Sequence, residues 1–219
     1  MNRPSPTVFI VDDDESVRRA LFLSLSQRGL AVKAYKSAEV FLEEYQPSQP
    51  GCLLLDLRLR EMDGLELQMQ LKQRHCDIPV IFISGHGNVS SSVSAMKLGA
   101  LDFLEKPLSM PTLLQRIEIA LQEDRNRRHQ HAVKLEARSR YAQLTAREQQ
   151  VMATVVLGLT NKEIARQLKI SFRTVEKYRA SVMQKMDVQN LAELCHLSEM
   201  CGLGEENIEL ETEKADKER

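Results

Sequence analysis

An acid pair, a single acid, a hydroxyl and an ammonium each close a short apolar run in this chain of 219 residues. Asp12 and Asp13 follow Val8-Phe9-Ile10-Val11, and Asp56 follows Cys52-Leu53-Leu54-Leu55. Ser84 follows Val80-Ile81-Phe82-Ile83, and Lys106 follows Leu101-Asp102-Phe103-Leu104-Glu105. Neighbouring carboxylates repel one another unless protons or a cation intervene. A hard divalent ion such as Mg²⁺, held by one or two carboxylates and several waters, relieves that repulsion and leaves room for phosphate oxygens. Asp56 is then placed to accept a phosphoryl group as an acyl phosphate. The metal and Lys106 neutralise the equatorial oxygens, and the Ser84 hydroxyl donates to one of them.

These side chains meet only if their runs are strands of one sheet. Each run is short, rich in β-branched or aromatic residues and bounded by polar or turn residues, as buried parallel strands are. In an open α/β sheet the functional crevice lies beyond the carboxyl ends of the strands. Between the runs, residues 15–28 predict a helix with Val17, Ala20, Leu21 and Leu25 on one face and Gly29 as its stop. A short strand over 30–35 and a helix over 37–45, with Ser37 as N-cap, come next. Residues 64–74 predict a helix with Leu65, Leu67, Met69 and Leu71 mostly inward. Further helices cover 88–98, stopping at Gly99, and 110–121. Five β/α units predict a doubly wound, flavodoxin-like α/β domain over residues 7–121.

The second half has a different character. Residues 122–143 form a charged linker, expected to be helical; Arg125, Arg127, Arg128, Lys134, Arg138 and Arg140 read as a solvated helix or linker, with contact to DNA as the alternative. Residues 144–201 predict an all-α block. Thr145 and Glu148 make a capping box, and Gly158 ends the helix that follows. A short helix opens at Thr160 or Asn161 and runs through Leu168, with Ile164, Ala165 and Leu168 inward. A longer helix covers 172–186, so the pair has the helix-turn-helix pattern. On the longer helix Val175, Tyr178, Val182 and Met186 make a core stripe, while Thr174, Lys177, Ser181 and Gln184 share a polar face. Arg173, Thr174, Lys177 and Arg179 combine charge with hydrogen-bonding reach, as a major-groove helix requires.

Charge is segregated along the chain. Residues 1–121 carry 13 Lys and Arg against 15 Asp and Glu, residues 122–201 carry 14 against 9, and residues 202–219 carry 3 against 7. The overall net charge of -1 therefore does not argue against a nucleic-acid partner, because the basic excess sits in the middle block. The acidic tail, 202–219, is expected to be disordered. Cys52, Cys76, Cys195 and Cys201 lack the paired spacing of zinc sites. No apolar stretch approaches a membrane span and residues 1–6 lack a signal core, so a cytoplasmic location without membrane partners is expected.

Residues 7–121 resemble a two-component receiver domain through Val-Asp-Asp-Asp at 11–14, Leu-Leu-Asp-Leu-Arg at 54–58, Ile-Ser-Gly-His-Gly at 83–87 and Asp-Phe-Leu-Glu-Lys-Pro at 102–107. The resemblance implies that Asp12, Asp13 and Asp56 surround Mg²⁺ with the backbone carbonyl of Arg58. It implies that Ser84 moves inward on phosphorylation with Phe103 following as an aromatic switch, and that the Lys106-Pro107 bond is cis. Asp14 falls outside the matched pair and reads as a helix N-cap. His86 reads as a loop residue limiting water access rather than as a base or ligand. One departure stands out: the family usually has proline four residues after the phosphorylated Asp, and here that residue is Arg60. Either the loop is more mobile or a charged contact replaces the rigid turn.

Residues 144–200 resemble the LuxR-type DNA-binding domain of FixJ/NarL-type regulators, through Leu-Thr-Ala-Arg-Glu, Gly-Leu-Thr-Asn-Lys-Glu-Ile-Ala and Ile-Ser-Phe-Arg-Thr-Val-Glu-Lys-Tyr-Arg. That resemblance puts Glu176, Lys177 and Ala180 at base-reading positions and Lys162, Thr174, Arg179 and Lys185 at phosphates. It also places a dimer surface at 190–200. The two resemblances imply a phosphorylation-controlled transcriptional regulator, not a turnover enzyme. Its partners would be a sensor histidine kinase, promoter DNA, a second copy of the chain and RNA polymerase. A haloacid-dehalogenase-type phosphatase would need a second Asp where Arg58 stands. An RNA-binding antiterminator would need a different helical output, and a relic pocket would not keep the full set Asp12, Asp13, Asp56, Ser84 and Lys106.

Overall fold

The computed structural model describes residues 5–85 and 89–202. Its elements run β1 (Thr7–Val11), α1 (Glu15–Ser26), β2 (Ala31–Tyr35), α2 (Ala38–Glu44), β3 (Gly51–Asp56), α3 (Gly64–Gln73), β4 (Val80–Ser84), α4 (Val89–Lys97), β5 (Asp102–Glu105) and α5 (Met110–Ala142). Four further helices follow: α6 (Ala146–Val156), α7 (Asn161–Gln167), α8 (Phe172–Met186) and α9 (Leu191–Cys201). The chain divides into two compact units, one ending at Arg128 and one beginning at His129, and α5 is continuous through that division.

In the first unit all strand pairs are parallel, in the order β2-β1-β3-β4-β5. Alternation of period two sends the side chains of the central strands to opposite faces. Phe9, Val11, Leu53, Leu55, Val80 and Phe82 join one core with Phe41 of α2, Leu67 and Leu71 of α3 and Ala95 of α4. Val8, Ile10, Cys52, Leu54, Ile81 and Ile83 join the other with Leu21 and Leu25 of α1 and Leu113, Ile117 and Ala120 of α5. Both faces are therefore covered, which is why these runs are apolar throughout. β5 departs from the expected burial: as an edge strand it is only partly buried. Met69 and Ala20 are exposed instead of inward, and Gln68 is buried. A spacing of two residues turns a helix by about 200°, so Leu65, Leu67, Met69 and Leu71 could not all share one face.

Caps set the helix starts. Asp14 accepts from the amides of Ser16 and Val17, Ser37 from Val40, and Asp63 and Glu66 form a capping box on α3. In the second unit Thr145–Glu148 and Thr160–Glu163 are capping boxes and Ser171 caps α8. Its core gathers Leu144, Val151, Met152, Val155, Ile164, Leu168, Val175, Val182, Met186 and Leu194. Lys169, with φ of 53°, carries the chain from α7 to α8 through the left-handed region. Among the described residues no helix is long and apolar enough to cross a membrane. His86 and the acidic tail beyond Gly202 lie outside the described residues.

Candidate functional site

The sheet order reverses between β1 and β3: the chain leaves β1 toward β2 and returns past it to β3. The crevice beyond the carboxyl ends at such a switch point is where open α/β sheets act on ligands. Asp12 and Asp13 follow β1 there, and Asp56 ends β3 beside them. Lys106, just past β5, reaches back across the edge. Its ammonium donates to Asp56 Oδ1 at 2.8 Å and to Asp12 Oδ2 at 3.0 Å. The remaining oxygens are also engaged: the Arg58 amide donates to Asp56 Oδ2 at 2.8 Å, and the Asp14 amide to Asp12 Oδ1 at 2.9 Å. The Lys106-Pro107 bond is cis.

Burial sharpens the electrostatics. Asp12 and Asp56 are 2 % and 9 % exposed, so one partly buried ammonium serves two carboxylates. Desolvation pushes the Asp12 carboxyl above the usual carboxylate range; Lys106 opposes this and the charge of Asp56 adds to it. Desolvation also acts to lower the Lys106 pKa, but its hydrogen bonds to Asp56 and Asp12 outweigh that and hold it above the ordinary lysine value. Gly64 lets α3 start hard against this point. A Cβ there would meet the Asp56 carbonyl oxygen at 2.5 Å and the Phe82 ring at 2.9 Å.

The other residues singled out in the sequence are placed as follows. Ser84 ends β4 and is already buried, with its carbonyl accepting from the Lys106 amide at 2.8 Å. Phe103, half-buried, stacks on Phe82 with centroids 6.2 Å apart. Asp13 is not gathered with the other two acids around Lys106. Its Oδ2 pairs instead with Arg60 Nε at 3.1 Å, so the expected trio of metal-facing carboxylates is two plus one. A charged contact is thus made by the residue that stands where the family usually has proline.

In the second unit α7 and α8 form the helix-turn-helix that an RNA-binding output would lack. Lys162, Arg173, Glu176, Lys177 and Ala180 are exposed. Thr174 is half-buried, its hydroxyl 2.7 Å from that of Ser171. Ser181, Arg179 and Lys185 are engaged inside the domain. Arg179 donates to Asn161 Oδ1 at 3.0 Å, Ser181 to Glu148 Oε1 at 2.6 Å and Lys185 to Glu148 Oε2 at 2.7 Å. Ser181 thus leaves the polar face assigned to it, and Arg179 and Lys185 are not free cations awaiting phosphate. The sequence did not point to Glu148 beyond its capping role. It is a buried carboxylate that ties α8 to α6, its pKa lowered to about 2 first by Lys185, then by Ser181 and the Thr145 amide.

The linker arginines are not simply solvated. Arg128 pairs with Asp124 and donates to the Ser48 and Gln49 carbonyl oxygens at 3.1 and 2.8 Å. Arg140 pairs with Glu136 and Asp187 and donates to the Met186 carbonyl.

Comparison with known proteins agrees with this division. Residues 8–118 match the model of the response regulator receiver domain, and residues 142–198 that of bacterial regulatory proteins of the luxR family. The transcriptional regulatory protein FixJ of Rhizobium meliloti (strain 1021) is 43% identical over 206 residues, covering 90% of this chain and 97% of that protein. Nodulation protein W of Bradyrhizobium diazoefficiens is 41% identical over 202 residues, covering 92% and 89%. The structure of the response regulator StyR superposes with a TM-score of 0.78 at 44% identity, covering 89% of this chain and 98% of that one. With both of its units matched and its relatives aligned over nearly their whole length, the chain belongs to the two-component response regulators that join a receiver domain to a LuxR-type DNA-binding domain.

Proposed function

We propose that this protein is a transcriptional regulator whose promoter binding is controlled by transfer of a phosphoryl group from a sensor histidine kinase to Asp56. The observation that carries this reading is the single ammonium of Lys106 bridging the carboxylates of Asp12 and Asp56 at the sheet's switch point, in a chain that also holds a helix-turn-helix. A carboxylate oxygen of Asp56 forms the new P–O bond while the P–N bond to the kinase histidine breaks. Lys106 and Ser84 take the charge on the phosphoryl oxygens.

Mg²⁺ suits the donor set. Asp12 and Asp56 are hard oxygen donors with two negative charges against one ammonium, and Mg²⁺ needs only one or two carboxylates, water supplying the rest. Asp13 and the Arg58 carbonyl are the further protein ligands we assign. When bound, the ion supplies positive charge that offsets the incoming phosphate.

Phosphorylation draws on Ser84 and reorders Phe103, which biases the receiver, residues 7–121, toward dimerisation, the α9 segment supplying a second dimer surface. Residues 144–201 bind promoter DNA, with the linker 122–143 between them. Lys177 is the leading base contact, beside Glu176 and Ala180. Lys162, Arg173 and Thr174 position the helix on phosphates, and Arg179 and Lys185 join them only by exchanging their internal partners. RNA polymerase is a further partner once the promoter is occupied.

Incubation with acetyl phosphate and Mg²⁺ should retard wild type on a Phos-tag gel and leave Asp56→Asn unshifted. The same variant should remain folded and occupy its promoters less in a chromatin immunoprecipitation. Wild-type promoter occupancy by Asp56→Asn would refute phosphorylation control.

A further inference from the structure

We infer that Arg60 is a built-in competitor of the metal ion for Asp13, and so sets how much Mg²⁺ the acceptor site requires; this rests on the reading of Asp56 as a phosphoryl acceptor. Asp12 and Asp56 share Lys106, whereas Asp13 is held by Arg60 Nε at 3.1 Å. Arg60 reaches it from the loop that follows β3, four residues after Asp56. A cation entering beside Asp13 must displace this guanidinium or forgo the carboxylate. Two positive charges cannot share one carboxylate oxygen without mutual repulsion. The arginine side chain is 84 % exposed and that of Asp13 26 %, so the contact is a weak latch rather than a permanent block.

The size of the effect follows from that exposure. An exposed ion pair shifts an equilibrium by no more than about fivefold. Removing the guanidinium therefore should tighten metal binding by about two- to fivefold, without creating any new ligand. Arg60 contributes little to the folded core, because its side chain stands in solvent. Its replacement should leave the fold intact.

The test is a double-mutant cycle on the full chain, with Mn²⁺ as an oxygen-seeking surrogate for Mg²⁺ and its free form counted by electron paramagnetic resonance. Wild type, Arg60→Ala, Asp13→Asn and the double variant are compared, with Arg60→Gln as a second neutral replacement. Tighter binding by Arg60→Ala and Arg60→Gln, lost when Asp13 is already Asn, is the expected result. Unchanged or weaker binding by both overturns the competition and leaves the acceptor reading in place. An equal gain in the Asp13→Asn background also overturns it, because Arg60 would then act by long-range repulsion alone. No Mn²⁺ binding by any variant overturns the acceptor reading and this inference together.

Discussion

One ammonium cannot fully compensate two carboxylates that have both left water. Lys106 donates to Asp12 and Asp56, yet burial still pushes the Asp12 carboxyl upward, so folding disfavours its charged form. For a carboxyl raised in the folded state, the native protein binds more protons than the unfolded chain between the two pKa values. Stability therefore rises as pH falls from neutral through the raised value, and levels off below the ordinary value near 3.8. Asp12→Asn should raise the urea midpoint at pH 7, with the advantage over wild type shrinking toward pH 4. A lower midpoint for the variant would show that the Lys106 pairing, not desolvation, dominates. Lys106 has a dependence of the same sign at higher pH: its raised pKa contributes stability below the ordinary lysine value, lost as pH climbs through the folded one. A buried carboxylate whose charge opposes stability is expected where function, not folding, requires the residue.

At the scale of elements, helix α5 does more than close the receiver. Asp124, only 4 % exposed, lies beyond both the 121 boundary expected from the sequence and the last residue, 118, of the receiver match. Its Oδ2 accepts from the Gly51 amide at 2.9 Å, at the start of the strand whose far end is Asp56. Arg128 grips both Asp124 oxygens and the two carbonyls just before β3. Arg128→Ala would leave a buried carboxylate without its cation, at a cost of about 3 kcal/mol. Asp124→Asn, which keeps an acceptor for Gly51, should cost less. Urea melts of the full chain, followed by circular dichroism, would measure both, and equal midpoints for Arg128→Ala and wild type would remove the clamp from the account.

At the scale of the whole molecule, two units divide the work and the charge. The acidic crevice lies in the first, while residues 129–201 of the second carry 11 Lys and Arg against 7 Asp and Glu before the acidic tail offsets them. The near-neutral total therefore conceals a basic block suited to DNA. The pairing of Lys185 with Glu148 and of Arg179 with Asn161 leaves Lys162, Arg166, Arg173 and Lys177 as the exposed cations of α7 and the first half of α8. Lys177→Ala should weaken binding to a cognate promoter by about 1–3 kcal/mol and relax the preference for one base step. Lys162→Ala should weaken all sequences alike and flatten the salt dependence by about one unit of slope. Gel-shift titrations at several salt concentrations separate the two, and a uniform loss for Lys177→Ala would reassign it to the phosphates.

Residue type and spacing alone determined the sheet, its five β/α units, the capped helices and the two-part division, because alternation, caps and turn residues are local properties of the chain. They also singled out Asp12, Asp13, Asp56, Ser84 and Lys106, since strand ends in such a sheet share one edge. Partner choice among charges is different: it depends on which side chains meet across tens of residues, and no local pattern encodes it. Only the tertiary structure turned Asp13 toward Arg60 and drew Lys185 and Ser181 onto Glu148. It alone buried Asp124 at the foot of β3. Each of these is a carboxylate that had to find a cation or a donor once folding removed its water, and the fold, not the sequence interval, decided which one was near enough.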